Sequence, residues 1–73
     1  MNISEENNKQ LETMRKNLKG LREANGWSVS KLSQISGISE KTLAGIEEGG
    51  NLSVRHLFIL CRVYMKKPHE VFY

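Results

Sequence analysis

A chain of 73 residues has room for one domain around one small core, so a cleft enzyme with lids and a second lobe is not expected and any function must sit on a surface. Apolar residues at 38% and charged residues at 26% fit a folded globule better than a disordered chain, while a net charge of +3 is compatible with nucleic acid without deciding for it. A single cysteine, Cys61, a polar opening from Met1 to Glu6, and an apolar run no longer than Leu57 to Cys61 point to a reducing, cytoplasmic setting with no membrane span, since crossing a bilayer takes about 20 apolar residues.

Residues 1–10 are polar and read as a flexible tail running into the first helix, with the folded domain over 11–73. Leu11, Met14, Leu18 and Leu21 then recur at steps of three and four and form one apolar stripe, which Asn25-Gly26 stops. Trp27 follows as a large apolar anchor, more often a core plug than a base-stacking group at such a position. Ser28 or Ser30 caps a second helix from about Val29 to Ser36, whose inner face is Leu32 with Ile35. Gly37 ends it after about two turns, which predicts a sharp corner into which Ile38 packs. Ser39 is a good N-cap for a third helix with Leu43 and Ile46 on its inner edge and Gly49-Gly50 at its end.

Ser53 caps a fourth helix, the most hydrophobic of all, with Val54, Leu57, Phe58, Leu60, Cys61 and Tyr64 forming a wide apolar face. Lys66-Lys67 closes it with favourable charge, and Pro68 suits the first turn of a brief final helix, His69 to Tyr73. No strand, repeat or low-complexity segment is evident, so the predicted class is all-α.

Chemistry of a catalytic or metal-bound kind finds little support. Cys61, His56 and His69 lack the paired spacing of a zinc site, Asp is absent, and no Ser, His and carboxylate set suggests an activated nucleophile. No cofactor, metal or small-molecule substrate is expected, and Cys61 reads as a buried, inert thiol.

The run from Ser28 to Gly49, SVSKLSQISGISEKTLAGIEEG, resembles the helix-turn-helix of the Cro/CI family, also called the XRE family. Leu18, Leu21 and Arg22 upstream are similar to its first-helix pattern, and Asn51, Ser53, Leu57 and the Pro68-His69-Glu70-Val71-Phe72 ending to its last two helices, so the likeness covers about Leu18 to Phe72. It rests on Gly37, Leu43, Ile46, Glu47, Gly49 and Ser53 in fixed order; each is weak alone, and the set is specific.

The resemblance implies a four- to five-helix, lambda-repressor-like DNA-binding domain whose third helix enters the major groove of double-stranded DNA. With Leu43, Ile46 and Glu47 turned inward, Ser39, Glu40, Lys41, Ala44, Gly45 and Glu48 become the base-contacting set: Lys41 can donate to guanine, Glu40 accept from cytosine, and the Ala44 methyl touch that of thymine. The plainer alternative for Glu40 and Lys41 is a solvated helix start. Gly45 either lets the backbone approach a base pair or marks a helix not optimised for DNA.

Phosphate contacts are implied for Ser28, Val29, Lys31 and Asn51. Val29 stands where the family commonly carries glutamine, which weakens that hold. Arg22 and Glu47 occupy the two positions where the family often places an ion pair between the first and recognition helices. A homodimer on a palindromic operator is expected, because Val71, Phe72 and Tyr73 end the chain with apolar groups, although these can instead pack on the fourth helix. A repressor is the leading reading; a protein-interaction module such as an antitoxin or anti-repressor, favoured by Glu40, Glu48 and Val29, is the rival.

Overall fold

The structure is a computed structural model that describes residues 3–50 and 52–71. Five helices follow in order, α1 (Ile3–Ala24), α2 (Val29–Ser36), α3 (Glu40–Glu48), α4 (Val54–Tyr64) and α5 (Pro68–Val71), with no strand among the described residues.

The first helix begins well before its apolar stripe, at Ile3 rather than near Leu11. Residues 4–10 contain neither glycine nor proline, so nothing in the chain breaks the helix on that side. Among the described side chains of α1, Met14 and Leu18 are buried, with Leu11 and Leu21 packed at the edge.

Leu32 from α2, Ile38 from the corner, Leu43 and Ile46 from α3, Leu57, Leu60, Cys61 and Tyr64 from α4, and Val71 from α5 complete one buried cluster. Among the described residues no charged side chain lies inside it, and the Tyr64 hydroxyl is its one buried polar group without a hydrogen-bond partner. Three expected inner residues lie outside. Ile35 is 43% exposed, Val54 66% and Phe58 53%. The buried line of α4 runs through Leu57, Leu60, Cys61 and Tyr64, and Val54 and Phe58 fall on the adjoining four-residue row, past the edge that α2 and α5 cover.

Serine caps set the starts of the three central helices. Ser28, Ser39 and Ser53 each accept, through the side chain, the amide three residues on, from Lys31, Thr42 and His56. The end of α4 departs from expectation, for Met65, not Lys66-Lys67, closes it, in a left-handed conformation with φ 57°. The amides of Met65 and Lys66 cap the carbonyls of Arg62 and Cys61. Val71 is buried within its own domain, so it offers nothing to a second subunit; Phe72 and Tyr73 lie outside the described residues. Asn17 Nδ2 of α1 donates to the Val71 carbonyl at 2.8 Å and ties the final turn down.

Candidate nucleic-acid interface

The corner between α2 and α3 decides how the third helix is presented. Gly37 takes φ 77°, a conformation costly for any residue with a Cβ, and its amide donates to the Ser33 carbonyl at 2.9 Å. The Ser36 hydroxyl accepts the Ile38 amide at 3.1 Å, and Ile38 plugs the core. Helix α2 therefore stops, three residues outside any helix follow, and Ser39 caps the start of α3.

Leu43 and Ile46 bury one side of α3, which leaves Ser39, Glu40, Lys41 and Glu48 exposed and Ala44 and Gly45 half-buried. Neither Glu40 nor Lys41 has an ion-pair partner among the described residues. Ser39 is differently placed: its hydroxyl accepts the Thr42 amide and donates to Thr42 Oγ1 at 2.8 Å, so its single proton is already used. Any base contact by Ser39 must use its remaining lone pair or break that bond. Glu48 borders a cleft between α1 and the end of α3, lined also by Glu12, Arg15, Lys16 and Lys19, and so sits towards α1 rather than with Lys41.

Ser28 is exposed at the start of α2, where it accepts the Lys31 amide at 3.0 Å and keeps its own proton free to donate to a phosphate oxygen. Lys31 is exposed one turn on. Val29 is half-buried against the core, so only its backbone amide, in the first turn of α2, remains for a phosphate. Asn51 lies outside the described residues. Both α2 and α4 lack an acidic residue in the first turn, whereas α3 carries Glu40 there.

The far end of α3 is anchored by a bidentate ion pair. Arg22 Nε donates to Glu47 Oε2 at 2.8 Å and Nη2 to Oε1 at 2.9 Å, and Nη1 donates to the Trp27 carbonyl at 2.8 Å. One guanidinium thus joins α1, the α1–α2 loop and α3, with side-chain exposures of 12% and 8% for Arg22 and Glu47. The hydrogen bond to Glu47 holds the Arg22 pKa above its ordinary value, against the opposing effect of burial. Trp27 in turn stacks on Tyr64 with ring centroids 6.0 Å apart, and burial pushes the Tyr64 phenol up to about 12, helped by the charge of Glu47.

Sequence reasoning missed two braces. Arg15 Nη2 donates to the Gly50 carbonyl at 3.0 Å, and the Gly50 amide donates to the Gly45 carbonyl, folding the exit of α3 back on itself. A Cβ at Gly50 would lie 2.8 Å from that carbonyl oxygen. The doublet Gly49-Gly50 signalled a helix end, but nothing in the pattern of α1 singled out Arg15 from its neighbouring lysines. Burial raises the Cys61 thiol pKa, with a smaller push from Glu70. No three His, Cys or carboxylate side chains gather into a metal-holding group among the described residues.

A short corner, a capped third helix with a bare outer face and an ion pair at its far end is the geometry of a helix-turn-helix. A helix-turn-helix family model matches residues 18–71. The chain belongs to the Cro/CI, or XRE, helix-turn-helix family. Its fold is the all-α, lambda-repressor-like one, and the family's domain is that of DNA-binding regulators. No curated protein and no solved structure matches the chain at a significant level. The matched span leaves the first two-thirds of α1, residues 3–17, outside it. No described helix is long and apolar enough to cross a membrane.

Proposed function

We infer that this XRE-family protein is a sequence-specific reader of double-stranded DNA that represses transcription as a homodimer on a palindromic operator. The observation that carries the reading is the outer face of α3, exposed and without ion-pair partners at Glu40 and Lys41, on a helix fixed at both ends by Gly37 and the Arg22–Glu47 pair. In this reading Lys41 donates to guanine O6 or N7, Glu40 accepts from cytosine N4, and Ala44 and Gly45 bring methyl and backbone close to base edges. Ser28, the Val29 amide, Lys31 and Asn51 hold phosphates, and Glu48, turned towards α1, contributes least of the six predicted base contacts.

Selection from random duplexes at low salt tests this, run in parallel with Lys41→Ala. A shared palindrome with half-sites about 10 bp apart, lost in the variant, is the expected result. Absence of enrichment contradicts it and favours the rival, a protein-interaction module such as an antitoxin or anti-repressor. Exposed Glu40 beside Lys41 is the observation on that rival's side, since a carboxylate on the reading face repels phosphate.

A further inference from the structure

Apart from Lys31 at its edge, the outer face formed by Ile35 and Ser36 of α2 with α4 has no part in the reading above. Two adjoining four-residue rows run along α4, Val54-Phe58-Arg62 and Arg55-Ile59-Val63. Phe58 and Val54 are more than half exposed, and the second row borders an open groove of about 430 Å³ lined by Ile35, Ser36, Ile59, Arg62 and Val63. No residue of α3 lines that groove. An exposed apolar strip shared by two helices marks a contact surface on a protein otherwise able to bury its core.

Charge identifies what the strip accepts. Neither α2 nor α4 carries an acidic residue anywhere along its length, and their charged groups are Lys31, Arg55 and Arg62. Arg55 and Arg62 stand at opposite ends of the two rows, about 10 Å apart along the axis at 1.5 Å per residue, and neither has a carboxylate partner among the described residues. Arg55 in the first turn opposes the helix dipole, so helix stability does not account for it. A second copy docked about a two-fold axis at Phe58 would bring Arg62 beside its own copy's Arg55, like against like. Duplex DNA gains nothing from exposed Phe58, Val54 and Ile35.

We propose that the α2–α4 face is a docking surface for an amphipathic helix of another protein, one with large apolar side chains at i, i+3 or i+4 and carboxylates about two turns apart at its ends. The apolar row fills the groove beside Ile35 and covers Phe58, and the carboxylates meet Arg55 and Arg62. Because α3 is not part of the groove, the protein can hold this partner and DNA together.

The probe is a fluorescent synthetic helix of about 15 residues, with leucines at that spacing and glutamates at the two ends, titrated into the full chain by anisotropy. A scrambled peptide of the same composition and a Glu-to-Lys peptide serve as controls. Phe58→Ser, at an exposed position that circular dichroism can show to be folded, is expected to weaken binding about tenfold or more, and Arg62→Glu to weaken it while gaining affinity for the lysine peptide. Lys41→Ala leaves peptide binding unchanged, which separates this surface from the DNA-reading one. Equal binding of the scrambled peptide, or indifference to Phe58→Ser, overturns the proposal. So does a dimer in sedimentation that Phe58→Ser dissolves, which would give the face to a second copy, or a loss of duplex affinity in Arg62→Glu with no peptide binding, which would give it to phosphates.

Discussion

Arg22 and Glu47 lie 25 positions apart in sequence and meet through two parallel hydrogen bonds, with a third from the same guanidinium to the Trp27 carbonyl. Because both side chains are mostly shielded from water, the pair is worth more than an exposed one, and removing one partner strands the other. Glu47→Gln keeps the size and loses the charge. It should cost about 2 kcal/mol and lower the melting temperature by about 10 °C in thermal denaturation. An unchanged melting curve would show that the end of α3 is held by packing alone.

Tyr64 gives the fold an alkaline limit. Its phenol, lifted from 10 to about 12, is neutral in the folded protein where an unfolded chain would already ionise. The raised folded pKa means that its contribution is fully present below pH 10 and is lost as pH rises towards 12, in all about 2–3 kcal/mol at 1.36 per unit. Urea denaturation at pH 9 and pH 11.5, compared with Tyr64→Phe, checks this. The variant should lose less stability over that interval. Its hydroxyl finds no hydrogen-bond partner among the described residues, so the substitution should be well tolerated at neutral pH.

Gly45 separates two demands on α3. A Cβ there meets nothing within 4 Å, so Gly45→Ala should raise stability by about 1 kcal/mol from helix propensity alone. Duplex affinity measured on the same variant then shows what the glycine is for. A loss of binding in a more stable protein assigns it to close approach of backbone and base; unchanged or improved binding assigns it no role in reading.

The two glycine corners should respond differently to the same change. Gly37→Ala meets no neighbour and costs only the left-handed backbone, about 1–2 kcal/mol. Gly50→Ala places its Cβ against the Gly45 carbonyl, so the exit of α3 must open. Hydrogen exchange of the amides at 49 and 50 should quicken in Gly50→Ala and stay slow in Gly37→Ala. Equal exchange in the two variants would mean that the fold-back at Gly45 is not required.

Much of this was legible in the residues because local rules and packing agree. Ser28, Ser39 and Ser53 are caps both by type and by observed hydrogen bond, and Leu32 in α2 and Leu43 with Ile46 in α3 are buried where periodicity places the inner face of each short helix. Periodicity could not say where a face ends. Ile35, Val54 and Phe58 match an apolar stripe and still point outward, since the width of coverage depends on how many neighbouring helices reach them. Arg15 and Asn17 were equally hidden, because a long-range bond from a side chain to a distant carbonyl leaves no mark on either local pattern. Ser39 was expected as a cap and as a base contact, and only its bond to Thr42 shows its proton already engaged.

Whether α3 is the surface that meets DNA is tested most directly by amide chemical shifts followed during titration with a selected duplex. The largest changes are predicted at Ser39 to Gly45, with a second group at Ser28 to Lys31 and little movement at Phe58 or Ile59. Shifts confined to α4, with the amides of Glu40 and Lys41 unmoved, would contradict it.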